Sequence, residues 1–266
     1  MWFADRSRVV VGLAAHQVVL LPVRKVWPGP LHAPVVRDCA ADGGTLWHSA
    51  VAALTSALGQ LSWRPRRVRV VLSERFVRWQ LLPWRDGLGG ASEYAAYARH
   101  HFQSTYGPAA ENWLIQLALR PPGHAVPSCA IDAALLEALQ AACASVGASV
   151  DAVVPHFVDA FDHYRRRISS GATAFGLIEE DGLSLAVLRG GQWLSLHTQR
   201  TDGDPRVALP GMLARASVEA AIPLLGLQLV LAGGDAAPVA PEGLQMTWLQ
   251  PRQTAGALAR WHLATA

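Results

Sequence analysis

Residues Ala174–Gln199 read AFGLIEEDGLSLAVLRGGQWLSLHTQ. Three apolar runs, Ala174–Glu179, Ser184–Arg189 and Trp193–Gln199, are separated by Glu180-Asp181-Gly182 and Gly190-Gly191. Glycine and aspartate at those points supply the backbone angles of tight hairpin turns, so the stretch predicts a three-stranded meander. Downstream the pattern predicts a helix over Leu209–Ala221, a strand over Gln228–Ala232 and a turn at Gly233-Gly234. A strand at Leu244–Trp248 and a helix at Thr254–Leu263 complete the series.

The first part of the chain carries the same order. Strands are expected at Arg8–Leu13, Gln17–Val23 and His32–Arg37, followed by a helix over Leu46–Leu58 whose Leu46, Val51, Leu54 and Leu58 form an apolar stripe. Next come a strand at Val68–Leu72, a helix at Ile131–Val146, a strand at Ser149–Val154 and a helix opened by Pro155 that runs to about Ile168. Between them, the block 73–130 reads as an insertion with strands at Phe76–Leu82, Trp113–Leu119 and Ala125–Ala130 and a helix at Ser92–Thr105. The expected organisation is a first lobe over 1–168, with an inserted subdomain at 73–130, and a second lobe over 169–266. The fold class is α/β, one mixed-sheet unit used twice.

Composition narrows the function classes. The chain has 266 residues, 51% of them hydrophobic and only 16% charged, which excludes intrinsic disorder. A net charge of +3 is too small for a nucleic-acid signature, so no nucleic-acid partner is expected. Three cysteines (Cys39, Cys129, Cys143), widely spaced and without a CxxC pair, fit reduced thiols better than a disulfide framework or a zinc ribbon. The apolar run after Arg6 and Arg8 is broken by His16 and Gln17, which favours a hairpin over a signal peptide. The longest apolar stretch, Ile222–Ala232, holds Gln228 and is too short to span a bilayer, so a soluble, cytoplasmic chain is expected.

The doubled meander unit resembles the actin-like ATPase (ribonuclease H-like) superfamily. Leu72-Ser-Glu-Arg-Phe-Val-Arg-Trp-Gln-Leu-Leu-Pro-Trp84, the helix ending at Tyr106-Gly107, and Leu135–Asp162 resemble one branch of it. That branch comprises the type IV pilus assembly protein PilM and the cytoplasmic domain of the type II secretion protein GspL. The resemblance implies a site of two hairpin turns and a glycine turn, whose backbone amides face the phosphates of ATP while an acid in each hairpin positions Mg²⁺ or water. In the first hairpin Gly12 stands where the acid is expected and Ala14 where a glycine is, with His16 following. In the second, Glu179 is nearest to the expected acid, beside Glu180 and Asp181. Gly233-Gly234 matches the adenosine-side turn. The pattern implies a non-catalytic scaffold without cofactor at the cytoplasmic face of the inner membrane. There it would bind the tail of a PilN-like membrane protein and a pilus or secretion ATPase, and a homodimer is compatible with it. The alternative is an active ATPase or small-molecule kinase using Mg-ATP. Each residue also has a plainer reading: a strand glycine at 12, a solvated acidic turn at 179–181, a sheet-end turn at 233–234.

Phe76, Trp79 and Trp84 lie in the branch-like block. Alternation sets Phe76 and Trp79 on opposite faces, so they are candidates for a partner-binding edge, against the alternative of core packing. Gly87–Ser92 opens a helix, with Ser92 a fitting cap and Glu93 favourable to the helix dipole. His156, Asp159 and His163 fall on one helix face at i, i+3 and i+7, a spacing that permits a metal site but equally a wet face. Arg64, Arg66, Arg67 and Arg69 read as the outer face of a strand. No metal is expected.

Overall fold

The structure is a computed structural model that describes residues 8–23, 33–39, 47–168, 170–235 and 237–249. Thirteen strands and five helices are found among these residues. The first lobe is built on β1 (Arg8–Leu13), β2 (Gln17–Val23), β3 (Val35–Asp38), β4 (Arg67–Leu72) and β8 (Ser149–Pro155), in the sheet order β3-β2-β1-β4-β8. The second uses β9 (Thr173–Glu179), β10 (Gly182–Arg189), β11 (Gln192–Arg200), β12 (Gln228–Gly233) and β13 (Gln245–Leu249), ordered β11-β10-β9-β12-β13. In each sheet the first three strands form an antiparallel meander and the last two add in parallel beyond the first. The two sheets therefore share one topology, the repetition that the turn pattern predicts.

The physical basis is local. In β1 every residue after Arg8 is buried, because helices cover one face and neighbouring structure the other. Val9, Val11 and Leu13 join Leu54 and Leu58 of α1 (His48–Gly59) and Leu135 and Leu139 of α3 (Ala133–Ala144) in the first core. The second core packs Leu183, Leu185 and Val187 of β10 and Leu231 of β12 against Met212 and Leu213 of α5 (Leu209–Glu219). A third cluster joins the lobes. Phe157 and Ala160 of α4 (His156–Tyr164), which follows β8, pack on Phe175, Leu177 and Trp193 of the second sheet. Full burial of a side chain such as Phe157 stabilises by about 2–3 kcal/mol, so α4 acts as a rivet between lobes.

The insertion holds a three-stranded sheet, β5 (Arg78–Leu82), β6 (Trp113–Leu117) and β7 (Val126–Asp132), in the order β5-β7-β6. It is covered by α2 (Ala91–Tyr106), whose Tyr94, Ala98 and Phe102 are buried at intervals of four. Gly107 ends α2 with φ +65°, donating its N–H to Gln103.

Several expectations need correction. Phe76 is not in a strand; it sits in a 3₁₀ turn, Glu74–Phe76, capped by Ser73, and the strand starts at Arg78. Ser92 does not cap α2: Gly90 is the capping residue, and Glu93 instead reaches back to the amide of Gly89. α3 begins at Ala133, two residues later than expected, because Asp132 caps it by accepting from the Ala134 amide at 3.0 Å. His32, Leu46 and the helix expected at Thr254–Leu263 lie outside the described residues.

Candidate functional site

The two lobes meet where the turns of their meanders face one another. The turn after β1 places Ala14 and His16 at the rim, with the Ala14 amide donating to Gln17 O at 2.9 Å. The turn after β9 places Glu179, Glu180 and Asp181 opposite. His16 Nε2 lies 2.6 Å from Glu180 Oε2, so the two hairpins touch directly. Both side chains are nearly half exposed, and such a contact is worth well under about 1 kcal/mol.

Beneath this rim the contacts are buried. The Glu179 carboxylate accepts from His156 Nδ1 at 2.8 Å, from Ser73 Oγ at 2.9 Å and from the Glu74 amide at 2.8 Å. The turn after β4 and the start of α4, both in the first lobe, thus converge on one acid of the second. Glu74 is itself buried. Its Oε2 accepts from Trp79 Nε1 at 2.5 Å and its Oε1 from the Phe157 amide at 2.7 Å. Burial, and then the nearby Glu179, push the Glu74 carboxyl up to about 8, against the lowering effect of those two hydrogen bonds. Burial and Glu179 also raise Asp181, which Arg75 Nη1 approaches at 3.4 Å and, with His16, pulls the other way.

The third part is the Gly233-Gly234 turn, with φ of +82° and +72°. The Gly234 amide donates to Ile178 O at 3.0 Å, and a Cβ on Gly233 would stand 2.1 Å from that same oxygen. This glycine is required because β12 is pressed against β9 at the turn. The turn does not end a sheet edge, since β12 runs between β9 and β13.

Two cavities flank Glu179. The smaller, about 30 Å³, lies between the hairpins and is lined by Ala14, His16, Ser73, His156, Glu180 and Asp181 among others. Its enclosed part has room for roughly two waters. The larger, about 200 Å³, is lined by Ile178, Glu179, Glu180, Asp204, Arg206 and Asp235 with Gly234. Its carboxylates outnumber its one guanidinium, and Arg206 Nε is held by both oxygens of Asp204 at 2.8 and 2.9 Å. That balance gives a bare phosphate chain one cation, which Asp204 already holds. The residues do not fit magnesium either: Gly12 lies within β1 and offers no carboxylate, Glu179 is engaged by protein donors, and among the described residues no three metal-ligating side chains converge.

The structure brings Ala14, His16, Glu179, Glu180 and Asp181 together around the small cavity and sets Gly233-Gly234 beside the large one. Of the histidine–aspartate trio, His156 meets Glu179, Asp159 pairs with Arg69, and His163 stacks edge-on to Tyr164. The aromatic candidates are not a free edge. Phe76 is buried in the first core, Trp79 is half-buried between that core and Phe157, and Trp84 packs on Tyr94 while its Nε1 donates to Asp86 at 3.0 Å. Burial raises all three thiols, Cys39 and Cys143 to about 11 and Cys129 to about 12, so none is a ready nucleophile. Sequence reasoning missed Ser73 and Glu74. The signal was present: a Ser-Glu pair interrupting an apolar strand is the pattern of a capped turn.

No protein-family model matches the chain, and no curated protein matches it in sequence. Solved structures do match. The cytoplasmic domain of EpsL, an inner membrane component of the type II secretion system of Vibrio cholerae, superposes with a TM-score of 0.61 at 12% identity, over 91% of this chain and 89% of that one. A chain of the PilM–PilN type IV pilus biogenesis complex gives 0.60 at 16% identity, over 91% and 88%. A Bacteroides thetaiotaomicron protein of unknown function with the actin-like ATPase fold gives 0.59 at 11%, over 87% and 83%. Among the described residues, no helix is long and apolar enough to cross a membrane. The repeated sheet topology and these superpositions together establish that the chain has the actin-like ATPase fold, in a form similar to the EpsL cytoplasmic domain and to PilM–PilN.

Proposed function

We propose that this chain is a non-catalytic actin-like scaffold in an inner-membrane assembly platform of the pilus or secretion type. It would bind the cytoplasmic tail of a PilN-like membrane protein and present it to a pilus or secretion ATPase at the cytoplasmic face of that membrane. One observation carries the reading: Glu179, the acid nearest to the place where this fold would position magnesium, accepts three hydrogen bonds from the other lobe. A cleft whose acid holds the lobes together serves as a joint. The superpositions on the EpsL domain and the PilM–PilN complex support the assembly role.

Calorimetry tests the reading in two arms. Titration with Mg-ATP should give no saturable heat. Titration with a peptide of the cytoplasmic tail of a PilN-like membrane protein should give micromolar binding. Saturable Mg-ATP binding, accompanied by phosphate release, would overturn the scaffold reading in favour of an ATPase or small-molecule kinase.

A further inference from the structure

Three arginines meet at the seam between the lobes, near Asp181. Arg75 lies in the turn after β4, Arg78 opens β5, and Arg200 ends β11. Arg200 Nη2 donates to Arg75 O at 2.8 Å, and Arg78 Nη1 donates to the same carbonyl at 3.1 Å and to Val77 O at 3.0 Å. Cations from two lobes are thereby gathered on one neutral acceptor. The acid among them is Asp181, 3.4 Å from Arg75, so three positive charges face one negative and the surplus is two. Three guanidiniums carry about fifteen N–H donors, five each, against those few acceptors. The Nε of Arg75 is buried and has no acceptor among the described residues.

We propose that Arg75, Arg78 and Arg200 form a binding site for a phosphate-type oxyanion that bridges the two lobes. A tetrahedral dianion matches both the surplus charge and the forked geometry, since its oxygens accept from several guanidiniums at once. Burial and mutual proximity lower the proton affinity of Arg78 and Arg200, with Asp181 and the phenol of Tyr106 the groups opposing this. An anion there relieves that repulsion. The site is distinct from the 200 Å³ cavity, whose lining is acidic, and it does not depend on whether a partner tail binds.

Thermal unfolding with inorganic phosphate, at ionic strength held constant with chloride, tests the proposal. The unmodified protein should gain in midpoint as phosphate rises through the millimolar range, as expected for a ligand of the folded state. Arg200→Gln, on an exposed side chain, and Arg78→Gln should each weaken the apparent phosphate affinity at least tenfold, while Arg206→Gln, in the other cavity, should leave it unchanged. A phosphate response no larger than that of chloride overturns the proposal. So does an undiminished response in Arg200→Gln, or a response lost in Arg206→Gln.

Discussion

His156 Nδ1 lies 2.8 Å from Glu179 Oε1, joining the first residue of α4 to the last residue of β9 across the interlobe cleft. The imidazole is 2% exposed and the carboxylate 10%, so water replaces neither partner easily. A hydrogen bond made away from water is expensive to leave unmade. Removing Glu179 strips acceptors from His156, Ser73 and the Glu74 amide together. Glu179→Ala should therefore cost about 2–4 kcal/mol in urea unfolding. Glu180→Ala, which removes the half-exposed contact to His16, should cost less than about 1 kcal/mol. Equal costs would show that the buried acid is no joint.

Glu74 makes folding sensitive to pH. Its folded carboxyl titrates at about 8, against 4.5 for an ordinary glutamate, so between those values the folded state holds a proton that the unfolded state has released. The stabilising contribution is complete below about 4.5 and is lost as pH rises through about 8. The expected decline is on the order of 1 kcal/mol per pH unit across that window. Glu74→Gln, which has no proton to lose, should flatten the curve of unfolding free energy against pH between about 5 and about 8. An unchanged slope would place the titration elsewhere.

Gly233→Ala and Gly191→Ala separate two costs of a side chain at positive φ. Both residues sit near +80°, but a Cβ at Gly191 meets nothing within 4 Å while one at Gly233 meets Ile178 O at 2.1 Å. Gly191→Ala should cost about 1 kcal/mol, the conformational penalty alone. Gly233→Ala must also move β12 away from β9, so its loss should exceed that of Gly191→Ala by about 2 kcal/mol or more. Chemical denaturation of the two variants gives the comparison directly.

The fold is legible because the signals for a meander are local. Glu180-Asp181-Gly182 and Gly190-Gly191 punctuate apolar runs, and the same order recurs before residue 73. The site is legible only in its hairpin tips. Glu179, Glu180 and Asp181 announce themselves as an acidic turn, but nothing near them in sequence says that Ser73, 106 residues away, will donate to Glu179. Trp79 shows the same limit. Alternation along an assumed strand from Phe76 sets the two rings on opposite faces, whereas the turn at Glu74–Phe76 brings both toward the first core. A buried glutamate inside that turn determines where the tryptophan points, and such long-range satisfaction of a polar group has no periodic signature.

Trp79→Phe tests that last point. Phenylalanine keeps an aromatic ring near Phe157, whose centroid is 6.2 Å away, and removes only the indole N–H that Glu74 Oε2 accepts at 2.5 Å. That bond favours the ionised form of Glu74, so its loss should raise the Glu74 carboxyl further. At about pH 6 Glu74 is protonated in the folded state of both proteins, and the variant should lose the packing of the larger ring and a hydrogen bond to a neutral carboxyl, together about 1–2 kcal/mol. At about pH 9 the original protein holds a buried carboxylate stabilised by the indole, whereas the variant must bury that charge with one donor fewer. The destabilisation measured by urea should therefore grow by about 1–2 kcal/mol between those two pH values. A cost that is the same at both would mean that the indole proton does no more for the ionised Glu74 carboxylate than for the neutral carboxyl.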